Sequence, residues 1–154
     1  MLSSITSFIC LLCYSVIAAQ SISYIISLSD VQKKMNVAEY ISFRKVTDKN
    51  FRAKFAYAVY GALLSNLALI VVTAIGFNPV LFVASCISFI CLLFDTLITL
   101  KGNMPINNTI NTWTIQDHPA EWEAYRAKWL SYFQFRQIAN LTGFVCLCIG
   151  IVFS

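Results

Sequence analysis

Four long apolar runs, roughly Ile5–Leu28, Phe55–Phe77, Val80–Leu100 and Gln137–Phe153, occupy more than half of this 154-residue chain. Crossing a bilayer takes about 20 predominantly apolar residues. Inside hydrocarbon the backbone must satisfy its own hydrogen bonds, which leaves helices or closed barrels. Continuous apolar runs of this length belong to helices rather than strands. The chain is 58% hydrophobic and only 12% charged, a balance that excludes both disorder and an ordinary soluble surface. The expected fold is all-α: one domain, residues 1–154, built as a four-helix transmembrane bundle. The last run is the shortest and carries Asn140, but it continues a helical pattern that begins upstream.

The first run has some look of a secretory signal, because Val16-Ile17-Ala18-Ala19 ends in small residues. No Lys or Arg precedes it, however, and its apolar character continues past Gln20 to Leu28. A retained first helix is expected. All eleven Lys and Arg residues lie in two segments, Asp30–Lys54 and Lys101–Arg136. With four spans both segments fall on one side, and the positive-inside rule places that side in the cytoplasm with both termini outside. The expected location is integral and multi-pass, in a bacterial inner membrane. A net charge of +4 suits a membrane-facing surface and argues against a nucleic-acid partner, since no basic helix or basic aromatic platform stands alone. The six cysteines all lie within the spans and read as small, soft packing residues.

Between the first two spans, Asn36 with Glu39 three residues on forms a capping-box signature for a short amphipathic helix. Its expected stripe is Val37, Tyr40, Ile41 and Val46. Thr47 and Asp48 read as the start of the helix that becomes span two. Arg44, Lys45, Lys49, Arg52 and Lys54 are expected at the lipid headgroups. Gly76-Phe77-Asn78-Pro79 reads as a tight turn, and Lys101-Gly102 as the end of span three. The stretch Asn103–Trp113 is an amide-rich connector. Trp122, Tyr125, Trp129, Tyr132, Phe133 and Arg136 then recur at helical steps, predicting one helix from about Pro119 to Phe153. Such a helix outruns a bilayer core, so span four is expected to extend outside the bilayer as a stalk.

Asp95 stands alone in an uncharged apolar run, and an intramembrane carboxylate is a functional-site hypothesis by default. Gln20, Tyr24, Tyr57, Tyr60, Asp95, Thr99 and Asn140 all occupy the half of the bundle nearer the basic side, where they would line a cavity open to that side. Arg136, at the foot of the extension, is the expected counter-charge of Asp95. Two readings stay open: an ion pair that locks span three to span four, or a site in which Asp95 accepts a proton or binds a polar ligand group and Arg136 holds an anion or enolate-like oxygen. Trp129, Tyr57 and Tyr60 would supply an aromatic wall, with Gln20 and Asn140 as polar ligand contacts. One His and scattered carboxylates offer no familiar metal set.

Pro105-Ile106-Asn107-Asn108, followed by Trp122, Arg126, Trp129 and Arg136, resembles the anthrone oxygenase-like family of small four-span membrane proteins. Tyr40, Arg44, Asp48 and Arg52 within Asp30–Phe55 resemble its bacterial members. The resemblance implies a cofactor-independent oxygenase, without metal or flavin, acting on a lipophilic aromatic. It would put Asn107, Asn108, Trp129 and Arg136 at the site. The chain departs from many members in having Phe133 and Gln134 where Asn or His stands shortly before the final Arg. Three classes therefore stand: such an enzyme, with Asp95, Arg136, Asn107 and Asn108 as its polar set; a non-catalytic protein that binds a lipid or hydrophobic ligand or scaffolds a partner; and, least expected, a transporter subunit. The expected partners are the bilayer and a small hydrophobic or aromatic ligand, with a homo-oligomer allowed. A cavity of about 300 Å³ or more, lined by Asp95 and Arg136, would favour ligand chemistry; a collapsed interior would favour a structural pair.

Overall fold

The computed structural model of the chain describes residues 2–154. It consists of four helices, α1 (Leu2–Lys34), α2 (Val37–Ile75), α3 (Pro79–Thr112) and α4 (Trp122–Val152), each long and apolar enough to cross a membrane. They pack as a ring in which each helix lies beside the next and α4 closes back on α1. The all-α bundle and the multi-pass membrane character expected from the apolar runs are both present.

At 31 to 39 residues and about 1.5 Å per residue, the helices run roughly 45–60 Å, well beyond a hydrocarbon core of about 30 Å. The extension of α4 is present but does not stand free. The lower parts of α1, α2 and α3 run beside it, so the bundle has two stacked cores. One gathers Cys10, Tyr14, Ile17, Ala62, Leu69, Leu81, Leu92 and Leu147. The other, at the basic end, gathers Tyr24, Tyr40, Ile41, Ile106, Ile110, Trp113, Trp129 and Phe133. Asp95, Asn103 and Arg136 lie buried between them.

Three of the expected helix boundaries, at Leu28, at Thr47-Asp48 and at Lys101-Gly102, are absent, for one reason. The segment after span one is capped as read: Asn36 Oδ1 accepts from the Glu39 N–H at 3.0 Å and Glu39 Oε2 accepts from the Asn36 N–H at 2.9 Å. It then passes without a break into span two, so Thr47 and Asp48 start nothing. Lys101-Gly102 does not end span three, and the amide-rich connector is helical as far as Thr112. At each such joint the helix carries a π turn: Tyr24–Leu28 in α1, Phe51–Phe55 in α2 and Thr99–Asn103 in α3. A π turn absorbs a change of phase without ending the helix, so the apolar stripe of the span and the different stripe of the extension share one rod. The true breaks come at Met35, at the turn before Pro79 and between Trp113 and Glu121. In the turn Phe77 takes the left-handed conformation, at φ 52°, and the Asn78 side chain caps α3.

Helices associate in lipid by close van der Waals approach at small residues rather than by hydrophobic burial. Two glycines give α4 that approach. A Cβ at Gly143 would lie 2.8 Å from Cys91 Cβ of α3, and one at Gly150 would collide with Ala84 of α3. Asn66 of α2 donates to Ser88 of α3 at 2.7 Å, tying the next pair. Gly150→Leu should therefore overpack the α3–α4 seam and destabilise the protein by about 1–3 kcal/mol. Thermal unfolding in detergent checks this, and an unchanged midpoint would contradict the seam described.

Candidate functional site

The polar residues at the joint level fall into two connected sets. In the first, Arg136 Nε donates to Asp95 Oδ1 at 2.7 Å, and its Nη1 donates to Asn103 Oδ1 at 3.3 Å. Asn103 in turn donates from Nδ2 to the Trp129 carbonyl at 3.0 Å. Asp95 and Arg136 are both buried, so the charges stabilise each other where water does not. The pair joins α3 to α4.

The second set joins α2 to α3. Arg44 Nη2 donates to Asn107 Oδ1 at 2.7 Å, and Asn107 Nδ2 donates to Asp48 Oδ1 at 2.8 Å. The other oxygen of Asp48 accepts from Arg52 Nε and from Asn111 Nδ2, each at 2.9 Å. Arg52 also reaches Asn108 Oδ1 at 2.6 Å. The Arg44 guanidinium sits over Trp129, its carbon 3.8 Å from the ring centroid, a cation–π geometry. Trp129 stacks on Phe133, and Tyr24 tilts onto both.

Between these sets lies a cavity of about 370 Å³ to which all four helices contribute. Leu28, Phe51, Val59, Leu100, Met104 and Phe133 form its apolar walls, while Arg44, Asp48, Asn107 and Arg136 form the polar end. Phe51, Tyr60 and Leu100 are exposed on the outside of the bundle and mark its rim. Of the buried side-chain polar atoms without a hydrogen-bond partner among the described residues, Arg44 Nε and Trp129 Nε1 belong to lining residues, and others, among them Tyr14 Oη, Asn66 Oδ1 and Asn140 Oδ1, lie elsewhere in the bundle.

Arg136, Asn107, Trp129 and Gln20 line the cavity as expected, and Tyr60 stands at its rim. Asp95 is buried but turned away from the walls, behind Arg136. Asn108 is exposed and held from outside by Arg52. Asn140 is buried, yet one turn beyond Arg136 and off the cavity wall. Tyr57 is misplaced outright. At 75% exposure it points out of the bundle, because it lies two residues, about 200° of helical turn, from Val59 on the cavity wall. Depth along the span located it; facing did not.

Arg44, Asp48 and Asn103 are the residues that sequence reasoning left out of the site. Arg44 was expected at the headgroups and Val46 on the apolar stripe, but Arg44 is 3% exposed and Val46 is 59% exposed. The signal was present: Tyr40, Arg44 and Asp48 are four residues apart and share one face. Of the other family-like positions, Arg126 takes a structural role, donating to the Gln32 and Met35 carbonyls at the C-terminal end of α1.

Removing one partner of a buried pair leaves the other charge uncompensated, which costs about 3–5 kcal/mol. Asp95→Ala should lower the unfolding midpoint in detergent far more than Asp95→Ala combined with Arg136→Met; equal losses would show that the two charges are not coupled. No protein-family model, curated protein or solved structure matches the chain, so the reading of the site rests on its residues.

Proposed function

We propose that this multi-pass membrane protein binds a lipophilic small molecule in the cavity at the joint level. Support comes chiefly from one observation: a cavity of about 370 Å³ with apolar walls converges on a polar end formed by Arg44, Asp48, Asn107 and Arg136. That volume falls in the range of small-molecule sites. The exposed apolar rim, Phe51, Tyr60 and Leu100, belongs to helices that meet lipid, so the ligand enters from the bilayer. The basic end of the bundle faces the cytoplasm of a bacterial cell and both termini lie outside, in keeping with the confinement of Lys and Arg to two segments of the sequence.

Of the two readings of such a cavity, binding is favoured over the oxygenase chemistry that the family resemblance implies. Oxygen addition to a phenolic substrate without a cofactor starts from its deprotonated form and needs a proton acceptor. Asp48, the carboxylate on the wall, already accepts three hydrogen bonds, and Asp95 is bonded to Arg136 away from the wall. The guanidinium and amide groups are suited to holding an anionic oxygen; they are not bases.

Small molecules that copurify with the protein test this reading. Mass spectrometry of organic extracts should find one or a few lipophilic compounds enriched with the native protein. They should be depleted at least about tenfold with Ala56→Trp, which fills the cavity from α2. The same extract profile from both folded proteins would count against a ligand cavity.

A further inference from the structure

We infer that the occupant of this cavity is an amphiphilic anion, a single apolar chain or ring system carrying one carboxylate or phenolate, with its charged oxygen held by Arg44. This rests on the binding reading above and adds the charge of the ligand to it. The starting point is a charge left without a counter-charge. Arg136 is paired with Asp95, and Arg52 with Asp48. Arg44 is 3% exposed and makes no salt bridge within 4.0 Å among the described residues. Its bonded partner, the Asn107 amide, is neutral and stands between it and Asp48. Three guanidinium groups and one carboxylate therefore line the cavity; Arg52 is partly exposed, and of the two buried guanidinium groups only Arg44 has no carboxylate within 4.0 Å.

A buried ion without a counter-ion is costly, and proteins keep one where a ligand or metal supplies the opposite charge. A guanidinium on the cavity wall with no carboxylate in salt-bridge range identifies that ligand as anionic rather than cationic. Arg44, Arg136 and Asn107 place guanidinium and amide N–H donors on the polar end, and the Arg44 guanidinium sits over Trp129 there. An oxygen anion accepts several such bonds at once, and bonds from a guanidinium to an oxygen anion are the strong ones. Opposite the donors, the walls offer Leu28, Val59, Leu100 and Met104 to an apolar body. A space of about 370 Å³ takes one apolar chain or ring system.

The test uses the full chain in bilayer nanodiscs and two matched pairs of probes: dodecanoate with dodecanol, and 2-naphthoate with its methyl ester. Binding is read from tryptophan fluorescence, because Trp129 lies under Arg44. The anion of each pair should bind about tenfold tighter or better, in line with a charge-assisted hydrogen bond to a buried group. Arg44→Gln should abolish that preference while leaving the neutral probes unchanged, and Arg44→Lys should keep part of it. Should Arg44→Gln fail to fold, the native protein still decides the matter: its preference must vanish as pH falls below the pKa of the probe itself. Equal binding of anion and neutral partner overturns the inference and leaves the cavity reading intact. Failure of all four probes to bind overturns both. An anion preference that survives in folded Arg44→Gln, or displacement of dodecanoate by millimolar inorganic phosphate, overturns the assignment to Arg44 or to an amphiphile.

Discussion

Buried charge is the constraint around which this molecule is organised. A chain so poor in charged residues places two carboxylates and two guanidinium groups in its interior, where each must find a partner or cost several kcal/mol. Asp95 and Arg136 solve this between α3 and α4, with Asn103 holding the far side of the guanidinium. Asp48 is saturated by Asn107, Arg52 and Asn111. Arg44 alone has an aromatic face and an amide in place of a counter-ion. The geometry of the cavity follows from how these groups are held apart.

Holding them requires helices that keep one direction while changing face. In its apolar half the bundle packs by glycine, alanine and short polar bridges such as Asn66 to Ser88. At the basic end it packs by large aromatics, with Tyr40, Trp113 and Trp129 in one cluster. The two packings have different phases, and the π turns in α1, α2 and α3 lie where one gives way to the other. The cavity sits at the same level, since Tyr24, Phe51 and Asn103 belong both to the π turns and to its walls. Local departures from regular helix of this kind are often found at functional sites, and here three coincide around one space.

Much of the fold was legible in the sequence, because lipid permits so few answers. The four spans follow from run length alone, and the capping box at Asn36 and Glu39 names a helix start from two residues. The Asp95–Arg136 pair was legible too, as an intramembrane carboxylate leaves few candidate partners. What could not be read was continuity. Lys101-Gly102 and the amide run after it have the composition of a helix end and a loop, yet the packing of Ile106 and Ile110 against the aromatic cluster keeps them helical. That is a tertiary effect overriding local preference. The site was legible by depth but not by angle, which is why Tyr57 was placed inside and Arg44 outside. A basic residue beside lipid headgroups is the ordinary case. Only the four-residue spacing of Tyr40, Arg44 and Asp48 argued otherwise.

The cavity is thus an amphipathic one at the basic end of the bundle, with Arg44 at its polar end lacking a carboxylate within 4.0 Å and apolar walls leading outward. The most direct measurement of that claim is photolabelling in nanodiscs with a fatty acid bearing a mid-chain diazirine, the adducts mapped by peptide mass spectrometry. Label should concentrate in Phe51–Tyr60 and Thr96–Met104 and be displaced by unlabelled dodecanoate. Label spread over the outer faces at Leu64, Leu67 and Ile90, and indifferent to competitor, would mean that the apolar chain never enters the bundle.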